Sequence, residues 1–318
     1  MSTFIAKRLL ALILTLLVAS VVVFAVLEIL PGDPAAVMLG VNARADTLAA
    51  LRAEMGLDQP VIVRYSHWVG GLLSGDLGNS YTYSRPVSEL IAERIAVSLP
   101  LALIAISLST ALAIPLGVLA AARHNQTTDV TVMGFTQLGV AIPNFWFAIL
   151  LILVFSVKLG WLPSGGFAGW EHGFFAGLKS LLLPSLALAL PQAAILARVT
   201  RSAVLENLQK DYIRTARAKG LSRTQALWRH AVRNALIPVV TIMGLQFSFL
   251  LAGTIIIEQV FYLPGLGRLI FQAIAQRDLI VLRDLVMLLA ATVVVVNFIV
   301  DLLYAVLDPR LRSGQMDY

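Results

Sequence analysis

The chain has 318 residues, 58% of them hydrophobic and 13% charged, with a mean hydropathy of +0.85 and a formal net charge of +6. A soluble domain carries about 25% charged residues, so this composition excludes a lone water-surrounded core and makes a bilayer the natural solvent. The basic residues gather in one segment between apolar runs, which argues against nucleic acid as a partner, and the absence of cysteine excludes disulfides and thiolate chemistry.

A spanning helix needs about 20 apolar residues, enough to cross about 30 Å at 1.5 Å per residue. Stretches without Asp, Glu, Lys or Arg place the first span at Leu9–Leu27, between Arg8 and Glu28. Lys7 and Arg8 resemble the start of a signal peptide. The apolar run is longer than the roughly 7–15 residues of a signal core, however, and no convincing A-x-A site precedes the polar stretch, so an uncleaved helix is expected.

Residues 28–94 are too long for a simple connector. "PGDP" (31–34) is turn chemistry. "ADTLAALRAEMGLDQP" (45–60) reads as a helix capped by Asp46 or Thr47 and stopped by Gly56. "IVRYSHWVGGLLSG" (62–75) is apolar enough to lie along a membrane surface, "DLGNSYTYSRP" (76–86) is a loop, and "PVSELIAERI" opens a helix at Pro86. That helix runs into a second span, Ile95–Ala122. The region is either a cap that seals the bundle or a docking face for a delivery protein.

The third span is Val130–Val157, and the fourth, Ser180–Ala197, is short and broken by Pro184 and Pro191. Next comes "DYIRTARAKGLSRTQALWRHAVRNALIP" (211–238), with six basic residues against one acid. Asp211 caps or charges a first helix (212–219), Gly220 breaks it, and Ser222 caps a second beginning at Arg223. Helical spacing puts Leu221, Leu227, Trp228, Ala231, Val232, Ala235 and Leu236 on one side and Arg223, Arg229, His230 and Arg233 on the other. The helix either ends at Pro238 or enters a fifth span, Asn234–Ile257, with a kink. "EQVFYLPGLGRLIFQAIAQRD" (258–278) follows, then a sixth span from Leu285 to about Leu307, interrupted by Asp301.

The expected fold class is therefore an all-α membrane protein with six transmembrane helices and both termini on one side. Residues Arg198–Arg233 hold nine basic residues and two acids, whereas 28–94 hold five basic against eight acidic. By the positive-inside rule, the termini and the basic segment are cytoplasmic. Positive-inside patterning on anionic headgroups accounts for such a segment. So does a protein that grips it, and the residues alone leave the two open.

Energy supply narrows the function. Ion-driven carriers keep ionisable residues inside their spans. Spans one to five contain no Asp, Glu, Lys, Arg or His, and Asp301 is the sole candidate in the sixth. No G-x-x-x-x-G-K-[ST] cradles phosphate. His67, His124, His172 and His230 are scattered, and neither G-x-S-x-G nor H-E-x-x-H occurs. No enzyme site and no resident metal or cofactor is expected. A self-sufficient secondary carrier or channel is the alternative to a bundle driven from outside.

"RTARAKG" (214–220) followed by "RHAVRNALIP" (229–238) resembles the coupling segment of ABC importer permeases, in the form used by the dipeptide, oligopeptide and nickel branch. Arg214 stands where the general signature begins with Glu, a variant usual in that branch. "PGDPA", "MGLDQP", "GDLGNS", "RPVSELIAERI", "AIPNFWFAILLILVFSVKLGWLP", "EQVFYLPGLGRL" and "DLLYAVLDPR" extend the likeness over almost the whole chain, in the manner of the partner with a long first extracytoplasmic loop.

The resemblance implies a bacterial inner-membrane subunit with no ATPase site of its own. Its partners would be a second homologous permease, two cytoplasmic ATP-binding subunits holding ATP and Mg, and an extracytoplasmic solute-binding protein that delivers peptides or peptide-like solutes. It divides the chain into 1–95 (first helix and extracytoplasmic region), 96–308 (permease core, with coupling helices at about 211–233) and a tail, 309–318.

Arg214, Ala216, Arg217, Lys219, Gly220, Leu221 and Trp228 are the coupling candidates. A buried aromatic is a typical hot spot, although Trp228 serves equally well packed on its own spans. Gln137, Asn144, Gln192, Gln246 and Asn297 are pathway candidates, set against the interhelical hydrogen bonds such residues usually make. Glu258, Pro264 and Gly265 mark an outer gate, a docking element for the binding protein, or a re-entrant cap. Asp301 is expected to pair with a neighbouring helix.

Overall fold

The computed structural model describes residues 2–29, 34–39 and 44–307; the turn expected at 31–34, apart from Pro34, and the tail lie outside them. The helices are α1 (Ser2–Ile29), α2 (Pro34–Leu39), α3 (Ala45–Glu54), α4 (Val61–Ser74), α5 (Val87–Ala122), α6 (Thr127–Ala141), α7 (Asn144–Leu151), α8 (Phe174–Leu208), α9 (Asp211–Ala218), α10 (Arg223–Ala226), α11 (Val232–Val260), α12 (Leu266–Gln276) and α13 (Leu279–Leu307). Two residues each of β1 (Asn79–Ser80) and β2 (Arg85–Pro86) pair antiparallel, a small ladder inside what the sequence reads as plain loop.

Among the described residues, five helices are long and apolar enough to cross a membrane, or six if one bent pair counts as a single span. The bent pair is the expected third span. It is not a straight helix: α6 meets α7 and its π-helical continuation, Ile152–Lys158, at 101°. Pro143 is the cause, because proline drives the residue before it out of the helical region, and Ile142 sits at φ −82°, ψ 124°. The expected fourth span is corrected in the opposite sense. Pro184 and Pro191 do not break α8, which runs unbroken for 35 residues. It is the most enclosed of the long helices, and packed neighbours tolerate the freed carbonyls of a proline turn.

α5 and α8 form the centre. Leu101, Ala102 and Ala105 meet Leu181, Ala187 and Leu188, and Leu250 and Ile257 of α11 close over them. Small residues allow close helix approach. A Cβ on Gly117 would lie 2.6 Å from the Ala197 carbonyl oxygen, and one on Gly244 would collide with Val300.

α1 lies against α13, with Arg8 Nη1 2.7 Å from Asp301 Oδ2 near one end, so Asp301 does pair with a neighbouring helix. At the other end Phe24, Tyr65, Trp68 and Met287 pack together. The opposite flank of α1 leaves Leu10, Leu14, Leu17 and Val18 exposed, the face a lipid-contacting helix presents. α4 is held down by Trp68 Nε1 donating to Asp284 Oδ1 (2.6 Å) and by Arg64 on Glu28.

Candidate functional site

The basic segment is built as an elbow. α9 follows α8 after Gln209 and Lys210. Its N-cap is Lys210, so Asp211 does not cap it but sits in the first turn, where a negative charge favours the helix N-terminus. Gly220 (φ +96°) ends α9 with two backbone bonds, Gly220 N–H to Arg217 O (2.9 Å) and Leu221 N–H to Ala216 O (3.3 Å). This is a Schellman closure, and its left-handed position is one that glycine occupies without strain. Ser222 then starts α10 with a reciprocal capping box. Its Oγ accepts from Gln225 N–H (3.3 Å), and its own N–H donates to Gln225 Oε1 (3.0 Å). Two helix ends are thus satisfied within three residues, which fixes the angle between them.

The inner face of the elbow is apolar and sealed. Ile213, Ala226, Leu227, Ala231, Val232 and Ala235 are buried with Val118 and Ala121 at the end of α5 and Ala203 and Val204 of α8. Beside it, Arg201 of α8 donates to both oxygens of buried Asp129 on α6 (2.6 and 2.7 Å), with His124 Nδ1 at 3.2 Å from the same carboxylate. This clamp ties the α5–α6 turn to α8 and was not foreseen from the sequence. The carboxylate at the start of an otherwise charge-free run was the available signal.

The outer face is cationic. Arg214 is exposed and, among the described residues, its side chain pairs only with Asp211, at 3.4 Å. Arg217, Lys219, Arg223 and Arg229 are exposed and have no side-chain partner among the described residues. Ala216 and Leu221 are half-buried beneath them. Trp228 differs from the sequence reading: it is 55% exposed, off the apolar face. The cause is a π-helical turn over Leu227–Ala231, which carries the chain from α10 into α11. A turn with i→i+5 bonding takes up one extra residue, so Leu227, Ala231 and Ala235 align inward and Trp228 turns out. The path continues through Pro238 without ending.

The pathway candidates do not converge. Gln192 and Gln246 meet, since Gln246 Nε2 donates to the Gln192 carbonyl (3.1 Å), while Gln246 Oε1 is buried without a partner. Gln137 is exposed and accepts from Arg198 (3.1 Å). Asn144 opens α7 directly after the bend. Asn297, on α13, keeps its Oδ1 buried, with no hydrogen-bond partner among the described residues.

Glu258 does not sit at an open mouth. It is fully buried at the end of α11. Oε1 accepts from Ser98 Oγ (2.6 Å) and Oε2 from Arg268 N–H (3.0 Å), while Ser98 Oγ accepts from Leu266 N–H (2.8 Å). A carboxylate from α11 and a hydroxyl from α5 therefore cap α12, whose own N-cap, Gly265, offers no side chain. Gly265 is required there, because a Cβ would overlap the Glu258 carboxylate. Pro264 precedes it, half-buried. The loop at 159–173 joins this end through Gly166 N–H to Phe261 O (2.7 Å) and Trp170 Nε1 to Ala96 O (2.8 Å). Sequence reasoning missed Ser98, whose signal was a lone hydroxyl at the start of a charge-free span.

Comparison with known proteins gives a consistent result. Residues 113–313 match the family described as binding-protein-dependent transport system inner membrane component, and residues 1–102 match its N-terminal counterpart. A Brucella abortus (strain 2308) protein named as a peptide transport system permease is 45% identical over 312 residues, 98% of this chain and 99% of its own. The glutathione transport system permease protein GsiC of Salmonella typhi is 42% identical over the same length, again covering 98% and 99%. A chain of the inward-facing MetNI methionine ABC transporter shares the fold, with TM-score 0.58 at 20% identity over 69% of this chain and 96% of that one.

Proposed function

The chain belongs to the binding-protein-dependent transport system inner membrane components, and from that premise we propose how it works within an ABC importer of the peptide branch. It forms half of a translocation pathway in a bacterial inner membrane, with six spans if the bent pair crosses as one and with both termini cytoplasmic. A second homologous permease supplies the other half. Two cytoplasmic subunits bind ATP and Mg, and an extracytoplasmic binding protein delivers the solute. The names of the relatives, peptide and glutathione permeases, support peptides or peptide-like solutes as cargo.

The elbow at 211–231 is the coupling element. One observation carries this reading: its inner face is packed into the ends of α5, α8 and α11, while its outer face offers exposed cations around Trp228. A body with such faces transmits a push and has no evident use as a solvated loop. Arg214, Arg217 and Lys219 meet acidic groups of an ATPase cleft, and Ala216, Gly220 and Leu221 let that cleft approach the backbone. Closure of the two ATPases moves the elbow and, through the α5 and α8 ends, the core. Gln192 and Gln246, the one pair of pathway candidates brought together, line the route. Glu258, Pro264 and Gly265 hold the outer gate. The carrier alternative is weakened, because Asp301, the acid that the sequence places inside the sixth span, is engaged by Arg8.

The test is reconstitution in proteoliposomes. With both permeases, both ATPases and the binding protein present, labelled tripeptide is expected to accumulate only when ATP is supplied on the ATPase side. The chain alone is expected to move none. Accumulation by the chain alone, driven by an ion gradient, would overturn the reading.

A further inference from the structure

A second site lies at the end of the molecule opposite the elbow. A cavity of about 420 Å³ opens between α1, α4, the β1–β2 hairpin and the α12–α13 turn, within the roughly 300–1,000 Å³ of small-molecule pockets. Its walls are mixed, with Phe24, Leu27 and Ile280 apolar and three arginines, Arg64, Arg277 and Arg283, facing three carboxylates.

The hydrogen-bond inventory of the cavity is unbalanced even though its charges are not. All three lining carboxylates are engaged. Glu28 takes Arg64. Asp76 accepts from Gly78 N–H at 3.0 Å. Asp278 accepts from Ser80 Oγ (2.5 Å), Thr82 N–H (3.3 Å) and Val281 N–H (3.2 Å). The arginines are less fully engaged: Arg64 gives Nη2 to Glu28 and Arg283 is ion-paired with Asp284, which leaves other donors of both forks unbonded. Arg283 stacks over the Trp68 ring, 4.8 Å from its centroid, and its nearest carboxylate contact is Nε to Asp284 Oδ1 at 3.7 Å, beyond hydrogen-bond reach. Among the described residues, the Nε atoms of Arg64 and Arg283 are buried without hydrogen-bond partners. Arg277 has no side-chain partner among the described residues. A guanidinium presents five donors in a planar fork that suits a carboxylate or phosphate. Leaving such donors unpaired in a partly enclosed site is costly.

We propose that this cavity is a binding site for one anionic oxyacid group borne by an amphipathic molecule, with the group on the Arg283 and Arg64 forks and the apolar body against Phe24, Leu27 and Ile280. Three arginines stand against three carboxylates in the lining, and buried Asp284 lies beside Arg283, so the site has no surplus of charge for a polyanion. A solute carboxylate and a phospholipid phosphate share this chemistry, and the test separates them. The site stands apart from the coupling reading, and transport is not its readout.

The assembled membrane complex, without its binding protein, is titrated with trialanine and with trialanine amide, and phospholipid retained after delipidation is counted by native mass spectrometry. If the source is a solute, trialanine binds, and both the amide and the Arg283→Gln complex bind about tenfold more weakly, as loss of a charge-assisted bond requires. If the source is a lipid, one retained phospholipid is lost in Arg283→Gln. Arg64→Gln is expected to act in the same direction. Arg283→Lys, which keeps the charge and loses the fork, falls between, and this separates recognition from mere loss of packing on Trp68. Trialanine and amide binding alike, together with lipid retention unchanged in both glutamine variants, overturns the proposal.

Discussion

Gly220 and Trp228 carry the residue-scale argument, because each separates structural from coupling roles. At φ +96° and with its N–H given to Arg217 O, Gly220 cannot be replaced by proline, which fixes φ near −65° and has no N–H. Gly220→Pro is expected to insert and assemble with its partners, yet to reduce ATP-driven uptake to background by changing the angle between α9 and α10. Trp228 is more telling. It is exposed, so Trp228→Ala is expected to change thermal stability by less than about 0.5 kcal/mol. As the aromatic centre of a contact, it is expected to weaken ATPase association by about 2 kcal/mol. Melting and pull-down of the same variant check both halves; a large stability loss with intact association would return Trp228 to a packing role. The Ser222 cap and the glycine break were legible in the letters, because caps and breaks call for particular residue types. The outward turn of Trp228 was not. It depends on a π turn, and such a turn leaves no mark on a pattern read at 100° per residue.

At the scale of elements, the buried junction of α5, α11 and α12 is the clearest mechanical feature. Glu258 and Ser98 satisfy the first N–H groups of α12 from two other helices. Removing either leaves buried donors unpaired, at about 1–3 kcal/mol each. Glu258→Ala is expected to lower stability by more than Ser98→Ala. The double variant is expected to cost less than the sum, since the two residues act on one cap. Thermal unfolding of the solubilised complex measures this cycle, and additive losses would show two independent contacts. Helix existence was readable from runs of apolar residues, whereas helix course was not. Pro143 bends the third span by 101° while Pro184 and Pro191 leave α8 continuous. The same residue type gives opposite outcomes because the backbone before Pro143 leaves the helical region, whereas neighbours enclose the prolines of α8. The burial of Glu258 was not legible for a related reason: an acid just past an apolar run gives no sign of the folded-back loop that encloses it.

Over the whole molecule, two ends with different chemistry are joined by a tightly packed α5–α8–α11 centre. The basic end carries the elbow and the Arg201–Asp129 clamp. The opposite end carries the α12 cap, the α4 cover and an arginine-lined cavity. Close contacts such as Gly117 on Ala197 and Gly244 on Val300 leave little slack in that centre, and packed cores shift between discrete arrangements more readily than they deform. Motion imposed at the elbow therefore has a stiff route to the far end. Family membership and composition were legible in the sequence. The convergence of Ser98, Glu258 and Arg268, which are far apart in the chain, was not, because it exists only after folding.

The most direct test places a photoreactive amino acid at Ala216, beneath the cationic face, in the fully assembled transporter within membranes. Irradiation is expected to join this chain to an ATP-binding subunit, with a yield that changes when ATP is trapped. Crosslinks that form only to lipid, or that form identically with and without nucleotide, would contradict the claim that the elbow transmits the ATPase stroke.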